Sequence, residues 1–332
     1  MNHHSSKTTG INTFQPQVSV VVPIYNGTAD LQELINCLLA QTYPKERVEY
    51  LLVDNNSSDG TSELLKLAAS NSPIKIRALS ENEIQSSYAA RNQGIREASY
   101  EIIAFTDADC RPQPQWLERL VQPFTNQNVV MVAGEITALP GNTLLEKYAD
   151  RQETLSQKHT LANKFCAYGQ TANLAIRRLA LEKAGLFRPY LTTGGDADIC
   201  WRILHLEIGS LEFAPEAIVQ HRHRTTLKEL KSQWRRYGRS NTYLHQLHGV
   251  ELMRQITINE CCYRLARWLL KEVPKTSLKA LLGKSSLLDL VNTPIDLLTA
   301  RARYLGQQQA QLPSQAKKIE WLRESKELEI KS

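Results

Sequence analysis

The sequence predicts an α/β protein, a mostly parallel sheet flanked by helices and continued by a helical carboxyl-terminal extension. Three observations carry this. Short apolar runs alternate with amphipathic stretches from residue 18 to about residue 136, the pattern of repeated strand–helix units wound in right-handed crossovers. Runs such as Ile102-Ile103-Ala104-Phe105 are apolar at consecutive positions, as a strand covered on both faces must be. From Thr226 onward the chain is helical in character.

The elements follow in order. VSVVVPIYN at 18–26 forms the first strand, and an amphipathic helix follows over 29–40. VEYLLVDNN at 48–56 forms the second, with a helix over 61–69, and IKIRALS at 74–80 the third, with a helix over 87–98. EIIAFTD at 101–107 is the fourth, leading to a helix over 113–124, and VVMVAGEI at 129–136 the fifth. After Pro140 the alternation loosens into helical and loop segments up to about residue 225. Beyond that, Pro274, Pro294 and Pro313 are the expected helix breaks. Three parts result: a disordered tail over 1–16, a sheet domain over 17–225 and a basic helical region over 226–332.

Composition narrows the class. With 332 residues, 42% of them apolar, the chain can bury a full core. The first residues lack the apolar core of a signal peptide, and no run reaches the roughly 18 apolar residues that span a bilayer. Six cysteines at 37, 110, 166, 200, 261 and 262 show no paired C-x-x-C spacing, which argues against a zinc site or a disulfide framework and for a reducing, cytoplasmic setting. Charge is segregated: residues 1–219 hold 19 Lys and Arg against 24 Asp and Glu, whereas 220–332 hold 21 against 10. A basic segment of this kind is a solvated face, or it meets anionic lipid or a phosphorylated acceptor. No glycine-rich phosphate loop follows a strand. Gly283-Lys284-Ser285 fails as one because Leu278 stands where the upstream glycine is needed, and DNNSSDGT fails as a calcium loop because its glycine and closing acid are out of place.

The chemistry gathers at strand ends. Parallel strands bring all their carboxyl ends to one rim, where open α/β sheets place ligands. The first strand delivers Pro23, Tyr25 and Asn26, the second Asp54 followed by Asp59, and the fourth Asp107 and Asp109 around Ala108. Arg91 lies in the helix after the third. Tyr25 offers a stacking face, Asp54 an acceptor for an amide or imide N–H, and Arg91 a fixed fork for a diphosphate. Asp109 suits a hard divalent cation such as Mn²⁺ or Mg²⁺. Taken singly each has a plain alternative: turn aromatic, helix cap or surface ion pair. Asp59 and Gly60 belong chiefly to the turn.

Six segments resemble, in order and spacing, the family 2 glycosyltransferases of the GT-A fold: PIYNG at 23–27, VDNNSSDGT at 53–61, ARNQG at 90–94, DADC at 107–110, NLAIRR at 173–178 and GGDADICWR at 194–202. The match covers about 17–225. The resemblance implies that Pro23, Tyr25, Asn26 and Asp54 hold the nucleobase, Arg91 lies near the ribose and phosphates, and Asp107, with Ala108 beside it, meets the ribose. Asp109 then binds Mn²⁺ or Mg²⁺, with His221 of VQHRHRTT as a second ligand and His223 the less well aligned choice. Asp196 falls at the catalytic base, Asp198 at the later acid of the same motif, and Gly195 stands where the family commonly has glutamate. Asn173 and Asp198 are expected on the acceptor side, and Trp201 and Arg202 in helix packing and an internal ion pair.

The expected activity is inverting transfer of a sugar from a nucleotide sugar, with UDP-sugars first, to a hydroxyl of a glycan or lipid-linked acceptor in polysaccharide or cell-envelope glycan synthesis. The alternatives are a metal-dependent nucleotidyltransferase, which PIYNG does not favour for want of a basic phosphate loop, and a non-catalytic nucleotide-sugar-binding module, against which the acidic GGDAD speaks. In the carboxyl third, Trp234, Arg235, Arg236, Tyr237 and Arg239, then Arg264 and Arg267 on an otherwise apolar helix, suit peripheral contact with an anionic membrane at the inner face of the cell membrane, or packing on the sheet domain or a homodimer partner. Nucleic acid is not an expected partner, since no reader motif accompanies the charge.

Overall fold

The computed structural model describes residues 14–281 and 286–322. The expected tail therefore lies almost wholly outside the described residues, as does Gly283-Lys284-Ser285. The first half alternates as the sequence predicts: β1 (Val18–Ile24), α1 (Thr28–Leu39), β2 (Val48–Asp54), α2 (Thr61–Asn71), β3 (Ile76–Ser80), α3 (Ser87–Glu97) and β4 (Ile102–Phe105). A short β5 (Cys110–Pro112), α4 (Trp116–Val121) and the long β6 (Val129–Ala138) follow. The single helix expected over 113–124 is divided, with α4 passing into a 3₁₀ turn at Pro123.

The stretch after Pro140 holds more sheet than its pattern suggests. Beside α5 (Leu144–Arg151), α6 (Gln157–Leu161), α7 (Arg178–Ala184) and α8 (Gly195–Leu204) it contains β7 (Leu174–Arg177) and β8 (Ser210–His221). β7 is only four residues long, and β8 pairs with β6 through two register shifts. Neither leaves the clean alternation by which a strand is read.

The strands form one mixed sheet in the order β3-β2-β1-β4-β7-β6-β8-β5. The β3-β2-β1-β4 part is parallel throughout, β7 runs against both β4 and β6, and β5 against β8. β1 and β2 are buried along their whole length, which is why they read as unbroken apolar runs. Register places Ile24 opposite Asp54 and Val21 opposite Phe105. The segments leaving β1, β2 and β4 therefore emerge together at one rim.

The carboxyl-terminal region comprises α9 (Leu227–His248), α10 (Ile258–Arg267), α11 (Val273–Leu281) and α12 (Leu287–Gln309). α9 and α12 cross in close contact because each offers a glycine: a β-carbon on Gly238 would lie 1.9 Å from the Arg303 carbonyl oxygen, and one on Gly306 2.0 Å from that of Arg235. Two of the expected breaks do not occur. Pro274 stands in the first turn of α11, reached from α10 through a π turn at Trp268–Glu272, and Pro294 lies inside α12. A proline there removes the N–H that would bond the carbonyl four residues back. That carbonyl, on Leu290, instead accepts the Trp268 indole N–H at 2.7 Å, so the helix runs on.

Candidate active site

The rim is built first by turns. Asp59 accepts from the Thr61 backbone and hydroxyl through one oxygen and from Thr28 through the other, tying the starts of α1 and α2 together. These bonds, led by that from the Thr61 hydroxyl, hold its carboxyl down at about 2. Asn26 adopts a left-handed backbone with φ 49° and is fixed by Ser57 and Ser58. Beside it Tyr25 is 54% exposed, its ring open to a flat ligand. Asp54 is buried and accepts from the Ser57 N–H at 3.2 Å. Ala108 packs near the turn, 3.9 Å from where a β-carbon on Gly27 would be, so the PIYNG and DADC segments are neighbours. Pro23, by contrast, is buried within β1 opposite Val53, where its ring shapes the strand and presents no open surface.

Arg91 reaches across from α3. Its guanidinium is buried and donates to Asp107 at 2.6 Å, while its Nε meets no acceptor. A buried donor without a partner is costly unless something arrives to accept from it. Asp107, Asp109, Cys110 and His221 bring potential ligand atoms within 4.8 Å of one another. Burial pushes the Cys110 thiol well above its ordinary value, with the two aspartates adding to the rise, and its soft sulfur suits Mn²⁺ or Mg²⁺ less well than the oxygens beside it. The remaining donors are two carboxylates and one imidazole. His221 Nδ1 lies 2.7 Å from the Arg222 carbonyl oxygen, which fixes the proton on that nitrogen, and Nε2 lies 3.4 Å from Asp109. Nε2 and the Asp109 carboxylate face one another, and the carbonyl behind the ring orients it as metal-bound histidines are usually oriented. An oxygen, oxygen and nitrogen set of this kind fits Mn²⁺, and Mg²⁺ through its carboxylates. His223 is buried elsewhere, in a second recess beside Glu135 and Ser156.

A cleft of about 220 Å³ runs from Arg91, Asp107 and His221 to Asp196 of α8, all four on its wall, while Tyr25, Asn26, Asp54 and Asp109 are not among its lining residues. Asp196 accepts from the Thr171 hydroxyl at 2.9 Å. Burial raises its pKa, Asp107 adds to the rise, and Arg91 opposes it. Gly195 at the start of α8 donates its N–H to the Tyr88 hydroxyl at 2.9 Å. A β-carbon on Gly195 would lie 2.6 Å from the Tyr88 ring, so the tyrosine occupies the space of the missing glutamate.

Two expected acceptor-side residues are structural instead. Asp198 is 0% exposed and is clamped by Arg188 at 2.9 Å, Arg202 at 3.0 Å and His248 at 2.9 Å. Burial alone would raise its pKa, but these partners, His248 first, hold it at about 2. Such a carboxylate is too weakly basic to serve as a base at neutral pH. Asn173 is also 0% exposed, accepting from Trp116 and donating to the carbonyls of Glu135 and Ala217. Sequence reasoning missed the residues that α9 brings to the cleft. Gln233, Arg236, Tyr237 and Ser240 of α9 line the cleft, together with Arg224. The 3.6-residue spacing of 233, 236, 237 and 240 marks one helix face, though nothing in it says which way that face points.

The sheet, its rim and this cleft together define a GT-A-type glycosyltransferase, and comparison with known proteins agrees. Residues 19–183 match the family model described as glycosyl transferase family 2, and residues 102–299 that described as glycosyl transferase family group 2. Glycosyltransferase AglE of Haloferax volcanii is 37% identical over 258 residues, 77% of this chain and 80% of that protein. The undecaprenyl-phosphate 4-deoxy-4-formamido-L-arabinose transferase of Yersinia pestis is 31% identical over 159 residues, 46% of each chain. In fold the chain is similar to the mannosyltransferase PcManGT from Pyrobaculum calidifontis, solved in complex with GDP-Man and Mn²⁺, with a TM-score of 0.59 over 88% of each chain at 18% identity. The chain belongs to glycosyl transferase family 2, and it is a glycosyltransferase.

Proposed function

We propose that this enzyme is a metal-dependent, inverting glycosyltransferase that passes a sugar from a nucleoside-diphosphate sugar, UDP-sugars foremost, to a hydroxyl of a glycan or lipid-linked acceptor in polysaccharide or cell-envelope glycan synthesis. The observation that carries this reading is that Arg91, Asp107, Asp196 and His221, from four separate segments, line one cleft. Tyr25, Asn26 and Asp54 receive the base, Asp107 the ribose, and the unpartnered Nε of Arg91 a diphosphate oxygen. Asp109 and His221 hold Mn²⁺ or Mg²⁺, which supplies positive charge to offset the departing diphosphate.

Asp196 is the base. Its Oδ1 is engaged by Thr171, so the other oxygen takes the proton from the acceptor hydroxyl as that hydroxyl attacks the anomeric carbon. One displacement from the face opposite the diphosphate inverts the configuration. Burial and the neighbouring Asp107 raise the basicity of Asp196.

The acceptor approaches along a groove of about 760 Å³ between α5, α9 and α12, which shares Tyr168, Gln170, Tyr237 and Ser240 with the cleft. Trp201, Trp234 and Tyr304 give it aromatic faces, which suit packing against the apolar face of a sugar. The Haloferax and Yersinia relatives are both named as transferases, the latter with a lipid phosphate in its name, which supports a lipid-linked acceptor. On this reading 17–225 is the catalytic domain and 226–332 completes its acceptor side. The test is to screen nucleotide sugars with Mn²⁺ for thermal stabilisation and to identify the products formed from those that bind. Free sugar with nucleoside diphosphate supports the reading. Pyrophosphate release favours nucleotidyl transfer, and absence of any product favours binding alone.

A further inference from the structure

The segment after α9 carries a surface that the fold leaves uncovered. α10, the π turn and α11 run on from one another over 258–281. At the i, i+4, i+7, i+11 spacing of a single helix face, Ile258, Cys262, Leu265 and Leu269 form an apolar stripe, and all four are exposed, Ile258 to 81% and Leu269 to 59%. Tyr263, Leu270 and Leu278 widen it, Leu270 being 76% exposed. An amphipathic helix of a globular protein turns such a stripe toward the core. Here the inward contact is made by Trp268, through its bond to Leu290 of α12, and the stripe faces away.

The same rod is basic. Arg264, Arg267, Lys271, Lys275 and Lys279 stand against two acids, and both acids are engaged. Glu260 closes the capping box of Thr257 and pairs with Arg254 at 2.8 Å. Glu272 accepts from Thr293 at 2.7 Å and faces Arg267 at 3.2 Å.

We propose that this face seats on an anionic bilayer, with the stripe at the boundary of headgroups and acyl chains and the lysines and arginines against lipid phosphates. A second copy of the chain suits the surface less well, because a two-fold pairing of these faces brings five cations of each rod against five of the other. Among the described residues no helix is long and apolar enough to cross a membrane, so the contact is one of lying on the surface. The rod begins just after Val250, Met253 and Ile256, which line the wider groove. A docked bilayer therefore lies beside the acceptor entrance, although the docking itself does not depend on the enzymatic reading.

The test is co-sedimentation of the full chain with vesicles of phosphatidylcholine alone and of phosphatidylcholine mixed with phosphatidylglycerol. The protein sediments with the anionic vesicles, is released by high salt and remains in solution with the neutral ones. Leu265→Glu with Leu269→Glu weakens binding by about tenfold or more, with an unchanged thermal transition since both side chains are exposed. Lys271→Glu with Lys275→Glu weakens it in a manner that low salt does not restore. Failure of the parent to sediment with anionic vesicles overturns the proposal, as does full binding by the leucine variant. A dimer detected by light scattering and dissolved by Leu269→Glu also overturns it, assigning the stripe to a second copy.

Discussion

The Tyr88 hydroxyl accepts the backbone N–H of Gly195 at 2.9 Å while its ring fills the space into which a side chain at 195 would project. Gly195 precedes Asp196, the proposed base, so this tyrosine braces the start of α8. The ring is held in turn by stacking on Phe187, with centroids 5.6 Å apart, and by the Arg91 guanidinium, which lies 5.5 Å from the tyrosine ring's own centroid.

Gly195→Ala forces a β-carbon against that ring. Overpacking of a buried contact costs about 1–3 kcal/mol, and a displaced base costs turnover as well. Thermal unfolding and kcat of Gly195→Ala and Tyr88→Phe separate the two effects. The alanine variant loses stability and activity together, whereas the phenylalanine variant, keeping the ring and losing one bond, loses about 1 kcal/mol.

Asp196→Asn removes the proton acceptor and leaves the shape. Turnover falls by about 10²–10⁴, the usual worth of general base catalysis, while donor affinity measured by calorimetry is retained. Full activity in this variant would remove Asp196 from the mechanism.

The pH profile carries a sign. The base must be ionised to act, and its pKa is raised by burial and then by Asp107, so activity falls with decreasing pH at values above the ordinary aspartate range. The Thr171 hydroxyl bond favours the ionised form. Thr171→Val therefore shifts the acidic limb of kcat/KM further upward, and a downward shift contradicts the assignment.

Asp198 governs stability in acid. Its folded value of about 2 lies below the ordinary 3.8, so its contribution is fully present above about pH 4 and is lost as pH falls toward 2. Asp198→Asn leaves Arg188 and Arg202 buried without their anion, at a cost of about 3–5 kcal/mol at neutral pH. Denaturant unfolding across this range measures both the loss and the disappearance of its pH dependence.

Much of this was legible in the sequence for a physical reason. β1, β2 and β4 are buried on both faces, so their apolar runs are unbroken, and parallel pairing alone sends Asp54, Asp107 and Asp109 to one rim. What was hidden depends on contacts distant in sequence. Asp196 and Asp198 differ by two positions in a helix, and only the partners around them decide that one opens to the cleft and the other is sealed by Arg188, Arg202 and His248. The part played by α9 was hidden in the same way. Its crossing with α12 rests on Gly238 and Gly306, 68 residues apart, and that crossing turns Arg236 and Tyr237 into the cleft.

The central claim is that Asp109, opposite His221, joins the nucleotide to the protein through a divalent cation. Calorimetric titration of UDP and GDP into the parent and Asp109→Ala, each with Mn²⁺ and with chelator, tests it directly. The account predicts that the preferred nucleotide binds the parent at least about tenfold more tightly with Mn²⁺, and that Asp109→Ala abolishes this difference while remaining folded. Equal binding with and without metal in the parent, or an undiminished metal effect in the variant, would contradict it.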